Sequence, residues 1–198
     1  VLALIASKST FAIGAGTVSQ LPVLATTVFG WGDSGTGMLL AARGVGAGLG
    51  PLIASRFTQG SISKVLRVCG LAGIGFSVCY VLAAWSPAIY LAALVIAVAH
   101  LGGGAQWTLS TYGLQLRTPD HIRGRVMAGD FAIVTLVMSL TGLGAGVLSE
   151  TVGVQWTITA FAGAAALAGL VYIAKTRHIV QQLALQEAAA IDHPRLLG

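Results

Sequence analysis

The sequence predicts an all-α membrane protein with six transmembrane helices, and three observations support this fold class. Only 9% of the 198 residues are charged, against roughly 25% in an average soluble domain. The mean hydropathy is +0.85, and apolar residues recur in stretches of about 20, which as helices can cross a hydrocarbon core of about 30 Å. Short connections containing Gly, Pro, Ser or charged residues separate these stretches. We therefore expect a multi-pass helical bundle.

Each span ends where residues appear that a helix in hydrocarbon does not tolerate. Pro87 and Pro119 cannot continue the helices before them, and charged residues bound most of the other spans. In chain order, the predicted spans are residues 2–29, 35–55, 65–85, 88–116, 126–149 and 156–174. Together they form a transmembrane bundle over residues 1–174, followed by a cytoplasmic tail over 175–198 that is either an interfacial or a solvated helix.

The charges near the span ends predict the orientation of the chain. The basic residues there all fall on one side of the predicted membrane: Arg56, Lys64, Arg67, Arg117, Arg123, Arg125, Lys175 and Arg177. The loops on the other side carry only Asp33 and Glu150. Short loops rich in Lys and Arg stay in the cytoplasm, so both chain ends are expected there, in a plasma (cell inner) membrane. Since this accounts for the net charge of +5, we expect no nucleic-acid partner.

The distribution of ionisable residues within the spans has a period of three spans. Spans one, two, four and five carry Lys8, Arg43, His100 and Asp130 away from the basic clusters at their ends, whereas spans three and six carry no such residue, since Arg67 lies at the start of span three. Because a charge in hydrocarbon is costly, the four polar spans are expected to face a cavity or one another, and spans three and six the lipid.

Two glycine-rich runs repeat this pattern. Residues 44–50 lie late in span two and residues 142–147 late in span five, and these two spans cross the membrane in opposite directions. The runs therefore occupy opposite halves of the bilayer, as a three-plus-three inverted repeat requires. Close helix packing is the alternative explanation for such small residues.

The loop between spans four and five resembles a loop of major facilitator permeases, especially of bacterial drug and siderophore exporters. Its sequence contains Pro119-Asp120, then Arg123-Gly124-Arg125-Val126. The glycine-rich stretch over residues 37–47, in span two of this chain, is similar to a G-x-L-x-A-A-x-G-x-G-A stretch of the same exporters. The resemblance covers all six spans and implies the carboxy-terminal half of a 12-helix fold.

Two features depart from the family pattern. The loop 55–60 lacks the acidic residue of the family's cytoplasmic acidic-basic motif. Gly46, Gly50 and Pro51 are similar to the family's antiporter glycine-proline motif but lie in span two, so we interpret them as a packing element.

Polar and aromatic residues on the four polar spans are the candidate site residues. The candidates for a substrate cavity are Lys8, Ser19, Arg43, His100, Trp107, Thr111 and Gln115, with Trp107 offering an aromatic surface to an amphipathic or cationic substrate. The candidates for coupling or gating are Asp130, Arg123 and Arg125.

Each ionisable candidate also has a structural explanation. Lys8 can snorkel to the interface, and Asp130 can pair with a loop arginine or cap a helix. His100 can form a hydrogen bond between helices instead of titrating, and Arg123 and Arg125 can be positive-inside anchors. Arg43 lies near mid-span and needs a partner or water because its guanidinium does not deprotonate.

An enzyme is a weaker alternative. Gly32-Asp33-Ser34-Gly35 matches the nucleophile motif of trypsin-like proteases, but Ser34 lies in a short outer turn and His100 on a distant span. No glycine run has the strand-turn-helix context of a nucleotide site, and Cys69 and Cys79 fit buried small hydrophobes. We assign no catalytic residue, metal or cofactor.

The resemblance and the polar spans together predict a secondary transporter that works by alternating access. The resemblance implies proton-coupled efflux of a small amphipathic molecule such as a drug or siderophore. The chain starts without Met, and residues 1–6 already read as a helix interior, so the expected partners are the lipid bilayer, a substrate, and either an amino-terminal six-helix half or a second copy. The alternative is a membrane-embedded interaction subunit without transport, which a wholly apolar surface would favour.

Overall fold

The computed structural model describes residues 1–58 and 61–192, and in these residues six long helices follow one another. They are α1 (Leu2–Val28), α2 (Gly32–Thr58), α3 (Ile62–Ala84), α4 (Ile89–Arg117), α5 (Asp120–Val152) and α6 (Val154–Asp192). Each is long and apolar enough to cross a membrane, which confirms the predicted all-α membrane fold.

The first helix changes geometry near its end. It is α-helical over Leu2–Ser19 and Leu21–Val23 and π-helical over Leu24–Val28. Pro22 lies at this change, where it removes a backbone donor and crowds the preceding turn. The hydroxyl of Thr26 donates to the carbonyl of Pro22 at 2.9 Å, so side chains bond to carbonyls in the altered segment.

Two helices extend further than the hydropathy pattern predicted. The fifth begins at Asp120, so Arg123 and Arg125 lie within its first turns and not in a loop. The sixth continues without a break past Lys175 into the region predicted as a tail. The predicted spans ended where charged residues lower the hydropathy. The helices continue past these positions because many of the residues there are good helix formers. Residues 59–60 of the predicted loop and residues 193–198 of the tail lie outside the described part of the chain.

The packing of the helices has the symmetry of an inverted repeat. The second helix packs on α4 as α5 packs on α1, and α3 packs on α4 as α6 packs on α1. The contacts between α1 and α4 and between α3 and α6 join counterparts of the two triplets. Because short connections make successive helices antiparallel, the first and fourth helices run in opposite directions. This arrangement agrees with the predicted three-plus-three inverted repeat.

The two equivalent helix seams differ in how closely they pack. In the seam between α2 and α4, a Cβ placed on Gly46 or Gly50 would overlap the backbone carbonyl of Ala97 or Leu101. In the seam between α1 and α5, a Cβ on Gly142 would lie 3.9 Å from Ser19, and one on Gly146 would meet nothing within 4 Å. The small residues therefore bring α2 and α4 into backbone contact, but leave α1 and α5 further apart.

A layer of polar side chains separates two apolar clusters in the bundle. One cluster contains Leu21 and Tyr80, and the other contains Leu4 and Leu66. Between them on α1 lie the buried residues Ser7, Lys8 and Thr10. The buried ion pair of Lys8 and Asp130 lies at this level.

The end of α6 is bonded to the start of α3. Ser61 precedes α3 and its hydroxyl accepts a hydrogen bond from the backbone N–H of Lys64 at 3.2 Å. The same hydroxyl and that of Ser63 each donate to Oε2 of Glu187 at 2.6 Å. A carboxylate at the positive end of a helix is favourable, so this contact connects the extended last helix to the third.

Candidate functional site

A cavity of about 630 Å³ lies among four of the six helices. These are α1, α2, α4 and α5, the helices that carry the four intramembrane ionisable residues. The lining residues are Phe11, Arg43, Ala47, His100, Gly103, Gly104, Trp107, Thr108, Phe131, Thr135, Met138 and Ser139. The volume falls within the range of about 300–1,000 Å³ that is typical of small-molecule sites.

Arg43 contributes the one charged side chain in this lining. It lies on α2 and is half-buried, and its Nε atom is buried without a hydrogen-bond partner among residues 1–58 and 61–192. The ion pairs found in that part of the chain join Lys8 to Asp130 and Arg123 to Asp120, so neither engages Arg43. A guanidinium that lacks a protein partner is available to a ligand or to water.

Lys8 and Asp130 form a buried ion pair at the edge of the cavity. The Nζ atom of Lys8 bonds to Oδ2 of Asp130, and each side chain is 3% exposed. Lys8 Nζ also lies 5.5 Å from the ring centroid of Trp107, which lines the cavity. Lys8 therefore does not snorkel, and Asp130 pairs with a membrane-embedded lysine and not with a loop arginine.

The face of α5 that carries Asp130 packs against α1. The hydroxyl of Thr141, on the same face, donates to the carbonyl of Ala12 at 3.1 Å. Asp130 thus lies in the seam between α1 and α5, and the neighbouring face of α5 lines the cavity. A change in the charge of Asp130 would act first on the contact between these two helices.

Aromatic rings form much of the apolar wall. Phe11 makes edge-to-face contacts with Phe76, Trp107 and His100, with ring centroids 5.2, 6.3 and 6.4 Å apart. Phe131 is exposed in the described chain and contributes from the opposite side. This wall suits an aromatic or apolar part of a ligand.

His100 lines the cavity but is bonded within the protein. Its Nε2 atom lies 2.8 Å from the hydroxyl oxygen of Tyr80, which joins α4 to α3. The side chain is buried against Phe76. This geometry corresponds to the alternative in which His100 bonds neighbouring helices.

Gln106 connects α4 to α1 in the polar layer. Its Nε2 atom donates to the carbonyl of Ser7 and, at 3.1 Å, to the hydroxyl of Thr10. The residue is fully buried one position before Trp107. These bonds fix the local position of α4 beside Lys8.

The other candidates lie away from the cavity lining. The hydroxyl of Ser19 donates to the carbonyl of Gly16 at 2.9 Å, and that of Thr111 to Trp107 at 2.7 Å. Gln115 is exposed. The structure therefore brings together Arg43, His100 and Trp107 in the lining, with Lys8 and Asp130 next to it.

The two arginine candidates differ in their contacts. The guanidinium of Arg123 bonds to Asp120 and donates to the carbonyl of Thr118 at 3.3 Å, while Arg125 is exposed. Asp120 is the first residue of α5 and follows Pro119 at the cap position. These contacts stabilise the start of α5 and do not reach the cavity.

Sequence reasoning missed the cavity face of α5. It consists of Phe131, Thr135, Met138 and Ser139, which are spaced four, seven and eight residues from the first. That spacing marks one face of a helix and was available in the sequence. The place of Phe11 in the lining could not be predicted from spacing within one helix, because it depends on the contact between α1 and α4.

The residues of the protease-like motif have separate bonding partners. Ser34 lies in the first turn of α2, not in an outer turn, and its hydroxyl donates to the carbonyl of Trp31 at 2.8 Å. His100 instead bonds to Tyr80. Neither contact joins a nucleophile to a base.

These features define a multi-pass helical membrane protein with a polar cavity among its helices. The model of the Major Facilitator Superfamily matches residues 6–191. The chain therefore belongs to the major facilitator superfamily and is a membrane transporter in general class, since members of this family are transporters and not enzymes. Its length fits one six-helix half of the family fold, which confirms the resemblance. Comparisons with curated proteins and with solved structures give no significant match.

Proposed function

We propose that this chain is part of a proton-coupled antiporter that exports a small amphipathic molecule, such as a drug or siderophore, by alternating access. The observation that carries the proposal is the buried Lys8–Asp130 pair beside a cavity of about 630 Å³. The second six-helix unit would be either an amino-terminal half or a second copy. The protein would lie in the cell inner membrane with both ends in the cytoplasm.

The chemistry of the ion pair supports the proposed proton coupling. The Asp130 carboxylate is the intramembrane acid, and its Oδ1 atom is buried without a hydrogen-bond partner in the described part of the chain. A proton on Asp130 removes the charge that Lys8 neutralises, so the contact between α1 and α5 weakens. Deprotonation restores that contact. A buried carboxylate that alternates between these states can connect proton entry to helix movement.

The lining of the cavity supports an amphipathic substrate and favours transport over the interaction-subunit alternative. The aromatic rings of Phe11 and Trp107 offer apolar surface, while Arg43, Thr135 and Ser139 offer polar groups. A subunit with only a docking role has no use for a polar cavity among its helices. Such a mixed lining is typical of small-molecule sites.

The test is proton-driven dye uptake by inverted membrane vesicles containing the product of the full reading frame. Two fluorescent amphipathic dyes, rhodamine 6G as the cation and 1-anilinonaphthalene-8-sulfonate as the anion, are each compared in the wild type and Asp130→Asn. We expect the wild type to accumulate at least one dye when the lumen is acidified. Asp130→Asn should reduce this uptake by about tenfold or more, because an amide cannot take up and release a proton, and loss of a positioned proton-transfer group costs at least that factor in catalysis.

The matched control is Glu150→Gln, which removes a carboxylate from an exposed outer position. It should transport like the wild type at equal protein level. Full proton-driven uptake by Asp130→Asn would contradict coupling through this residue, and absence of gradient-dependent uptake of both dyes would contradict the exporter proposal.

A further inference from the structure

The charge of the cavity is set by Arg43 alone among its lining residues. No carboxylate lines the cavity within the part of the chain that the structure describes. The nearby Asp130 is bonded to Lys8, so this pair contributes no net charge. The cavity therefore presents one positive group to a ligand.

A half-buried guanidinium discriminates between ligand charges. A cation in the cavity would be repelled by Arg43 and would find no free carboxylate in the described lining. A carboxylate, sulfonate or phosphate can instead accept two parallel hydrogen bonds from the guanidinium fork. The unpartnered Nε atom of Arg43 is one of the donors for such a bond.

The apolar wall lies within the same cavity as this donor. Phe11 and Trp107 contact each other edge to face, and Phe131 lies on α5. A ligand with an anionic group at Arg43 can therefore place an aromatic or aliphatic body against these rings.

From this arrangement we propose that the transported molecule is an amphipathic anion, with its acidic group bound by Arg43 and its apolar part against Phe11 and Trp107. This inference rests on the proposed function, because it names the substrate class of the same cavity. It disfavours a purely cationic substrate, which the aromatic surface of Trp107 alone had allowed.

The test is equilibrium binding of a charge-matched pair of probes to the purified product of the full reading frame. The probes are 2-naphthoate and 2-naphthylmethylammonium, which share one ring system and differ in charge. Isothermal titration calorimetry is done in lipid nanodiscs without a proton gradient. We expect the wild type to bind naphthoate about tenfold or more tightly than the ammonium ion, since a charge-assisted bidentate pair contributes at least that factor.

Three variants test whether Arg43 binds the anionic group. Arg43→Gln should lose the preference for naphthoate, whereas Arg43→Lys should keep part of it because the positive charge remains. Arg56→Gln is the matched control, since it removes an exposed arginine from the end of the same helix. It should bind both probes like the wild type. A monodisperse gel-filtration peak for each variant verifies that it is folded.

The outcomes separate this inference from the proposed function. Equal affinity of the wild type for the two ions, tighter binding of the ammonium, no naphthoate binding, or an unchanged preference in Arg43→Gln would each overturn the inference. Binding needs no gradient, so failed proton-driven uptake with naphthoate preference intact would defeat the exporter proposal and leave the anion assignment of the cavity standing. Proton-driven uptake without naphthoate preference would defeat the anion assignment alone.

Discussion

Lys8 and Asp130 are 122 positions apart in the sequence and meet in one buried contact. Removing two charges from water costs several kcal/mol per ion, and their attraction offsets this cost only while both partners are present. The pair is therefore expensive to keep for stability alone. Its position beside the cavity is consistent with a role in the transport cycle.

This balance predicts different effects for single and double substitutions. Lys8→Met leaves a buried carboxylate without its partner and should lower the free energy of unfolding by about 3–5 kcal/mol. Lys8→Met combined with Asp130→Leu should recover most of this loss, because no buried charge remains. Thermal unfolding followed by tryptophan fluorescence in detergent measures both. A double variant as unstable as the single one would contradict the buried ion pair between Lys8 and Asp130.

At the residue scale, the sequence identified the ionisable positions but not their partners. A charge inside an apolar stretch is visible without a structure, so Lys8, Arg43 and Asp130 were predicted as important. That Lys8 bonds to Asp130, while Arg43 forms no ion pair among the described residues, depends on which helices are neighbours. Sequence spacing within one helix contains no such information.

At the scale of the helices, glycines and one proline allow α2 and α4 to pack closely. Pro51 lacks an N–H, so the carbonyl of Ala47 is free of its usual helical bond. The same carbonyl lies against Gly104 of α4, which can approach because it has no side chain. The glycine-proline stretch is therefore a site of backbone contact in the wall of the cavity.

Two glycine substitutions in α2 should have opposite outcomes. Gly46→Ala places a methyl group into the backbone of Ala97 and should destabilise the protein by about 1–3 kcal/mol, the usual cost of overpacking. Gly48→Ala is the matched control, since nothing lies within 4 Å of its added Cβ and alanine favours a helix. Thermal unfolding midpoints in one detergent compare them, and equal midpoints would argue against the close seam.

Helix number was predictable from hydropathy, but helix ends were less so. Pro119 marked the break before α5 correctly. Proline alone does not decide a helix end, because Pro51 lies inside α2 without ending it. The continuation of α6 beyond Lys175 was not evident from apolar content, although residues 181–190 are mostly good helix formers. The π-helical end of α1 was not predicted. It depends on local packing, and Pro22 was its only signal in the sequence.

For the whole molecule, the one-sided distribution of Arg and Lys leads to a prediction about topology. Single cysteines are introduced at Asp33, Glu150, Arg56 or Arg177 in a background without Cys69 and Cys79. In intact cells, a membrane-impermeant maleimide should label the first two positions and should reach the other two only after permeabilisation. Labelling of position 56 or 177 in intact cells would contradict the proposed orientation.

The repeat itself was predictable at this scale because it leaves a pattern in composition. Ionisable residues in spans one, two, four and five, together with two glycine runs, indicated two related triplets. The packing of the six helices follows that relation. The cavity lining was only partly predictable, since it is created where faces from four separate helices meet.

The unequal closeness of the two equivalent seams has a mechanical consequence. Backbone contact along α2 and α4 resists sliding of one helix past the other. A shift would push backbone carbonyls of one helix against the backbone at the glycines of the other. The seam between α1 and α5 is packed less closely, and the ion pair of Lys8 and Asp130 joins the two helices across it. The bundle therefore has one closely packed side and one loosely packed side, and the buried Lys8–Asp130 pair lies on the loosely packed side.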